Sequence, residues 1–320
     1  MGWNLSILFI LFALEAGYIF LARRFNIIDK PNNRSSHVHH TVRGGGIIFP
    51  LAVLLYAVFS TSGFPAFFAG LALVAGISFW DDIKSLSSEV RFTVQSVAIM
   101  FLLYQCGLLN SEVWYWGILL YVCGISLLNV YNFMDGINGM TALYSFTVLG
   151  GLYYCNTVFH FINDQYLTFL LLANIVFSFF NLRKKAVCFA GDVGSVSLFF
   201  CLFFPVILLM ITANSILPLM FFAMYIIDGF TTILLRLRNG ENISQPHRKH
   251  IYQLLANEKR IPHLKVSSIY MGIQLIISVG VILLLQKDWM VQFAFAISAL
   301  IVLLSLYFFV LGKVNPRTIN

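Results

Sequence analysis

The chain has 320 residues, of which 59% are hydrophobic and only 10% charged, with a formal net charge of +7. A soluble domain carries about half apolar and about a quarter charged residues, so a water-soluble globule, a disordered chain and a secreted disulfide scaffold are excluded. The composition is that of an all-α, polytopic integral membrane protein.

A hydrophobic helix needs about 20 residues to cross a bilayer. Eleven segments of this kind are legible, at about 2–22, 45–62, 64–80, 92–109, 113–128, 141–161, 166–182, 193–212, 216–235, 266–285 and 289–311. The second and third are separated only by the turn at Ser60–Pro65, and several are short, so ten or twelve spans remain open. The first lacks a basic leader and a small-residue cleavage site and reads as a retained span, not a signal peptide.

Arg23, Arg24, Lys30, Arg34 and Arg43 follow the first span, Lys84 and Arg91 the third, and Arg183, Lys184 and Lys185 the seventh. Arg236, Arg238, Arg248, Lys249, Lys259, Arg260 and Lys265 follow the ninth, and Lys313 and Arg317 lie in the tail. Nineteen of the twenty basic residues thus fall on one side, with Lys287 alone on the other. Because Lys and Arg accumulate in cytoplasmic loops, the N-terminus is predicted to be periplasmic and the C-terminus cytoplasmic. Residues 1–320 then form one transmembrane domain with cytoplasmic loops at about 23–44, 81–91, 129–140, 183–195 and 236–265. This basic face suits anionic lipid heads and phosphorylated substrates. It lacks a soluble platform of base-stacking aromatics, so nucleic acid is not an expected partner.

The polar residues crowd the same face. Nine of thirteen acids (Asp29, Asp81, Asp82, Glu89, Asp135, Asp192, Asp228, Glu241 and Glu258) and six of seven histidines are read as lying in or beside these loops. Glu15 is the one acid read deep in a span, either paired or lining a lipid-facing groove. A transporter would set its decisive polar groups near the midplane, so chemistry at the membrane surface is favoured. Cys106, Cys123, Cys155, Cys188 and Cys201 show no CxxC spacing and read as small hydrophobes, with neither a disulfide nor a zinc site.

Five clusters carry the chemistry. Arg34-Ser-Ser-His37 through Arg43-Gly44-Gly45-Gly46 is basic and glycine-rich; it could bind phosphate or serve only topology and flexibility. Asp81-Asp82 closes the third span, and paired carboxylates suit magnesium, which takes one or two of them plus water and phosphate oxygens; a solvated pair closing a helix is the alternative. Asn129, Asn132, Asp135, Asn138 and two glycines fall within eleven residues without a Lys or Arg. Amides there could pair with a base or sugar, or merely build a turn. Gly191-Asp192-Val193-Gly194-Ser195 opens the eighth span and offers backbone donors to an anion, unless Asp192 or Ser195 simply caps the helix. His247-Arg248-Lys249-His250 is a cationic, protonatable patch suited to a pyrophosphate; its histidines, three apart, would share a helical face. A solvated basic loop is the alternative, and zinc is disfavoured for want of further ligands.

In this order along nearly the whole chain, the clusters resemble those of the polyprenyl-phosphate N-acetylhexosamine-1-phosphate transferases (glycosyltransferase family 4). The resemblance implies an enzyme of the bacterial cytoplasmic (inner) membrane that moves a sugar-1-phosphate from a UDP-N-acetylhexosamine to undecaprenyl phosphate, releases UMP and uses Mg2+ or Mn2+. It implies Asp192 as metal ligand, Asp81 as the base for the lipid phosphate and Asp82 as support for metal and lipid phosphate. Asn129, Asn132, Asp135 and Asn138 would lie near the nucleotide, and His247, Arg248, His250 and Arg43 near the phosphates or sugar. Direct attack is favoured over a phospho-aspartate, because Asp81 can act as base without a second displacement.

The family's muramoyl-pentapeptide branch has three consecutive histidines where this chain has His247-Arg-Lys-His250. The present form is more similar to the branch that starts O-antigen or related surface glycans. The sugar there is N-acetylglucosamine, N-acetylgalactosamine or a 6-deoxy-N-acetylhexosamine, and a homodimer is left open. The rivals are a CDP-alcohol-type phospholipid synthase and a transporter of lipid-linked sugars. Asp135-Gly136 and Asp228-Gly229 each begin the synthase motif, but neither continues with Ala-Arg.

Overall fold

The computed structural model describes residues 2–30, 39–60, 63–109, 112, 114–242, 245 and 247–314. Arg34, His37, Pro246 and Arg317 lie outside these residues. Helix α1 (Gly2–Arg24) leads into a short hairpin, β1 (Ile28–Asp29) with β2 (Thr41–Val42), and a turn at Gly45–Ile47. There follow α2 (Ile48–Phe59), α3 (Pro65–Ile83), α4 (Ser88–Gln105), α5 (Trp114–Phe133), α6 (Met140–Phe159), α7 (Asp164–Asn181) and α8 (Gly191–Ala213). A turn at Leu217–Phe222 opens α9 (Ala223–Arg238). Then come the short α10 (Ile251–Gln253), which winds on through Leu254–Glu258, α11 (His263–Leu284) and α12 (Trp289–Val314).

Each predicted segment falls on a helix, and the only strands described are the two of the hairpin. Seven stretches (α1, α3, α5, α8, Leu217–Arg238, α11 and α12) are long and apolar enough to cross a membrane. The protein is therefore polytopic and built almost wholly of helices. Helix α4 starts at Ser88, not near residue 92, because the Ser87 hydroxyl caps it by accepting the Val90 N–H at 3.4 Å. This shift matters later, since it moves Arg91 from a loop into the first turn of a helix.

Helix α8 is the axis of the bundle. It is apolar around its whole circumference, as a core helix must be, and 78% of its span is buried, against 17% for the peripheral α12. Its phenylalanines interlock with the surrounding helices: Phe67 of α3 stacks on Phe204 with ring centroids 4.2 Å apart, and Phe199 meets Tyr131 of α5 at 5.8 Å.

At one end of the bundle the C-termini of α3, α5 and α9 meet the N-termini of α4, α6, α8 and α11. The hairpin is wedged here against the segment before α8: Val42 forms a parallel bridge with Cys188, and Phe189 N–H donates to the Val42 carbonyl at 2.8 Å. The chain then continues inward, with Gly45 N–H donating to Phe189 O at 2.8 Å and Gly46 N–H to Ala190 O at 3.0 Å. A Cβ on Gly46 would stand 2.3 Å from the Gly194 Cα. The Gly44–Gly46 run is thus a close backbone contact with α8, not a phosphate cradle, because two of its amides are already engaged.

Gly46→Ala should therefore destabilise the protein by about 1–3 kcal/mol, as overpacking does. Gly76→Ala, where nothing lies within 4 Å of the new methyl, should leave stability unchanged or slightly raised. Thermal unfolding of the detergent-solubilised variants checks the pair.

Candidate active site

Three carboxylates and two guanidiniums converge where α3, α4, α8 and β2 meet. Arg43 Nε lies 2.6 Å from Asp82 Oδ1, and Arg43 Nη2 lies 3.4 Å from Asp192 Oδ1. Arg91 Nη1 is shared between Asp81 Oδ2 at 3.1 Å and Asp192 Oδ2 at 3.4 Å. Asp81 and Asp192, 111 positions apart in sequence order, are thus bridged by a single nitrogen. The carboxylates around it push the Arg43 guanidinium above its ordinary pKa, against the opposing effect of burial.

The two adjacent aspartates do different work. Asp82 accepts the backbone N–H groups of Asp192 and Val193, both at 2.9 Å, so it is the anion at the start of α8. The expected phosphate cradle of the Gly-Asp-x-Gly-Ser turn is therefore filled by the protein's own carboxylate. Gly191, at φ +70°, lets the turn close around it, since a Cβ there would sit 2.6 Å from Asp82 Oδ2. Asp81 instead accepts the Leu86 N–H at 2.6 Å and faces Arg91. The Asp82 side chain is fully buried, whereas that of Asp192 is 18% exposed and its ion pairs are longer.

Beside this cluster opens a cleft of about 600 Å³, lined by Arg91, Asn129, Asn132, Asp135, Arg236 and His247 among others. Its volume is that of a small-molecule site. Asn132 joins the cleft to the carboxylates, because its Oδ1 accepts from the Ser195 hydroxyl of α8 at 2.8 Å. Asp135 accepts from the Thr141 hydroxyl, yet burial dominates and pushes its carboxyl up to about 7. Near neutrality it can donate or accept a hydrogen bond.

His247 and His250 also border the cleft, with ring centroids 4.8 Å apart. They are adjacent although neither is helical, since α10 begins only at Ile251; the expectation of a shared helical face is corrected. Burial, followed by the neighbouring His250 and Arg236, pushes His247 down to about 4. It is neutral at physiological pH, so the cationic lining of the cleft comes from the arginines and not from this histidine.

Two other expectations change place. The Asn138 amide donates to the carbonyls of Arg183 at 2.9 Å and Lys184 at 3.3 Å, and its own carbonyl accepts from Ser267. It ties its own turn to the Arg183–Lys184 loop and to helix α11, outside the cleft. Arg248 likewise does not line the cleft. Glu15, fully buried, meets the Cys188 thiol at 3.5 Å and does not face lipid. Both Asp-Gly pairs have packing reasons: a Cβ on Gly136 would strike the Tyr252 hydroxyl, and one on Gly229 would strike Val130.

Arg91, Arg236, Ser88, Phe92 and Gln95 line the cleft without having been singled out in the sequence. Arg91 and Arg236 were legible only as topology signals. The buried Arg236 could have been suspected, because it lies where an apolar helix gives way to a polar loop; it binds Glu241 Oε2 at 3.2 Å and the carbonyls of Asn242 and Gln245.

A helical membrane protein with carboxylates, arginines and a polar cleft gathered at one end of its bundle is built as an interfacial enzyme. The family model of glycosyl transferase family 4 matches residues 64–213, a stretch that holds Asp81, Asp82, the asparagine cluster and Asp192. A "Probable undecaprenyl-phosphate N-acetylglucosaminyl 1-phosphate transferase" of Bacillus subtilis (strain 168) is 26% identical over 320 residues, covering 93% of this chain and 88% of the relative. Two proteins named "Undecaprenyl-phosphate alpha-N-acetylglucosaminyl 1-phosphate transferase" are each 25% identical. That of Yersinia pestis covers 77% of this chain and 74% of its own length, and that of Escherichia coli (strain K12) 86% and 80%. Over these residues, and along most of its length at low identity to the relatives, the chain is similar to glycosyl transferase family 4.

The depressed His247 has a signed consequence. The unfolded chain takes up this proton near 6.5 and the folded one only near 4, so stability is lost as pH falls through that window. Wild-type protein should therefore lose more thermal stability between pH 7 and pH 5 than His247→Gln, measured by melting in detergent.

Proposed function

We propose that this phosphoglycosyl transferase moves an N-acetylhexosamine 1-phosphate from a UDP-sugar to undecaprenyl phosphate at the cytoplasmic face of a bacterial inner membrane, releasing UMP. N-acetylglucosamine, named in the relatives, is the first sugar to test, with 6-deoxy-N-acetylhexosamines next. The product would start a surface glycan such as O-antigen. The observation that carries the reading is the meeting of Asp81, Asp82 and Asp192 with Arg43 and Arg91 beside the asparagine-lined cleft. The eleven-span topology with a periplasmic N-terminus belongs to the same reading. It is supported by described members of the basic set, Arg43, Arg91 and Arg236, which meet at the same end of the bundle.

Both reacting groups are anionic, so the site must neutralise charge before it can bring them together. Arg43 and Arg91 sit where they can meet phosphate oxygens in exchange for their long contacts to Asp192. Asp81 takes the proton of the lipid phosphate. A lipid phosphate oxygen then bonds to the sugar-bearing phosphorus as the bond from that phosphorus to the UMP oxygen breaks, and UMP leaves with the electron pair. Asn129, Asn132 and Asp135 would orient the nucleotide.

The donor set fits magnesium. It consists of carboxylate oxygens, and magnesium takes one or two of these with water and substrate phosphates completing the shell. Asp192, the most exposed of the three carboxylates, would hold the ion, with Asp81 beside it. Asp82 would act on Asp192 through the start of α8. When bound, the ion would withdraw charge from the facing phosphates.

UMP release from UDP-N-acetylglucosamine in membranes should depend on both undecaprenyl phosphate and Mg2+. Asp81→Asn should lower kcat by about 10²–10⁴-fold, the range for a lost general base, with the protein still inserted. Asp192→Asn should abolish turnover and also weaken Mn2+ binding followed by electron paramagnetic resonance. Full activity in either variant would overturn the role given to that residue.

A further inference from the structure

Asp228 stands outside the carboxylate cluster and outside the cleft, yet its carboxylate gathers more partners than any of the acids there. It lies ten residues before the end of α9, about 15 Å along the helix axis, and it is completely buried. A sequence reading sets it beside the cytoplasmic loops; in the fold, a loop comes inward to meet it. Its Oδ1 accepts the Ile251 N–H at 2.9 Å and the Thr232 hydroxyl at 3.3 Å. Its Oδ2 accepts the Tyr270 hydroxyl at 2.6 Å and the Tyr252 N–H at 3.4 Å. The imidazole Nδ1 of His250 lies 3.5 Å from Oδ1.

These partners belong to three parts of the chain: Thr232 to α9 itself, Tyr270 to α11, and residues 250–252 to the histidine loop. Two of the contacts are to consecutive backbone amides of that loop, so they fix its path and not merely one side chain. The next residue contact carries the constraint to the cleft. Tyr252, fully buried, donates a hydrogen bond from its hydroxyl to the Phe133 carbonyl at 2.7 Å. Phe133 precedes the turn that bears Asp135, and a Cβ on Gly136 would collide with the Tyr252 hydroxyl.

His250 is the side chain so held. It is 1% exposed and borders the cleft, and neither ring nitrogen has a hydrogen-bond partner among the described residues, Nδ1 reaching Asp228 only at an ion-pair distance of 3.5 Å. A buried polar nitrogen without a partner costs free energy unless something supplies one. An imidazole in that situation is worth holding still only if a bound molecule completes its hydrogen bonding.

We propose that Asp228 is a positioning residue for the histidine loop: from within α9 it fixes the backbone of residues 250–252, sets the His250 ring at the cleft, and through Tyr252 locks the loop to the end of α5. This rests on the reading of the cleft as the sugar-nucleotide site. Asp228 touches no substrate. It acts through His250 and Tyr252, and its removal misplaces them.

The test compares wild type, Asp228→Asn and Thr232→Val in purified form. Asp228→Asn keeps the size and one carbonyl acceptor but cannot hold both amides and both hydroxyls. Its kcat for UMP release should fall by about a hundredfold, the loss expected from a group displaced by an ångström, while KM for the UDP-sugar stays near the wild-type value. Thr232→Val removes a partner that belongs to α9 itself and leaves both loop amides bonded, so it should lower thermal stability with kcat retained. Carbethoxylation of His250, followed by mass spectrometry, reads the loop without any turnover and should be several-fold faster in Asp228→Asn.

Should Asp228→Asn fail to accumulate, Tyr270→Phe takes its place, with the same directions and smaller size. Wild-type kcat together with wild-type carbethoxylation in Asp228→Asn overturns the proposal, as does an equal fall of kcat in Thr232→Val. If wild-type protein releases UMP from no UDP-sugar, the proposed reaction fails, and the carbethoxylation rates alone decide whether Asp228 holds the loop.

Discussion

The buried Asp82 carboxylate at the start of α8 is the contact on which the site depends. The first amides of a helix have no intrahelical partner, and a carboxylate taken out of water is costly unless it is fully bonded. Each need meets the other here: α3 supplies the anion, α8 supplies two N–H groups, and Arg43 supplies the counter-charge. One side chain thereby fixes the α3–α8 register and sets Asp192, whose own N–H is one of the two it accepts, at the cluster. Successive residues on a helix point about 100° apart. Asp81 consequently cannot share that duty and faces Arg91 instead. The Asp-Asp pair is better understood as two residues with separate tasks than as one bidentate ligand.

The glycines follow from the same contact. For α8 to receive Asp82 while the hairpin crosses its first turn, two backbones must approach to within the space of a methyl group, and Gly46 against Gly194 provides it. Bulky aromatics then fill the bundle below, where α8 is surrounded on all sides. The polar apparatus and the apolar packing therefore do not compete for the same layer. The helix that holds Asp192 is rigid because its remaining turns are buried among phenylalanines.

Much of this was legible in the sequence, for definable reasons. Hydrophobic run length placed eleven segments that each fall on a described helix, seven of them in stretches long and apolar enough to cross a membrane. The gathering of the motifs at one end was legible from the Lys and Arg distribution, since alternating spans return every second loop to the same side. What was not legible was the division of labour among polar atoms. Nothing in the residue types says that Asn138 would give its amide to Arg183 and Lys184, or that Gly44–Gly46 would give its amides to residues 189–190. Both depend on partners far away in the chain. Arg91 was hidden for a different reason: a serine cap moved the start of α4 by one turn and converted a loop cation into a member of the cluster. Asp228 was read as lying beside the loops, and it does meet one, but from ten residues inside α9, because the loop itself descends to reach it.

The charges explain why a cluster so rich in acid can serve an anionic substrate. Three carboxylates against two guanidiniums leave one negative charge when all are ionised. A divalent ion at Asp192 would turn that into a positive charge, and the phosphates could then enter against Arg43 and Arg91 without unpaired charge on either side. In the cleft the balance is set differently. Burial holds His247 neutral and raises the Asp135 carboxyl to about 7, so near neutrality His247 adds no charge and Asp135 only part of one, and both can exchange hydrogen bonds with a neutral partner. The carboxylate cluster is thus governed by ions, and the cleft combines the Arg91 and Arg236 cations with the neutral His247 and the asparagine amides. Asn132, bonded to Ser195 of α8, marks the boundary between the two.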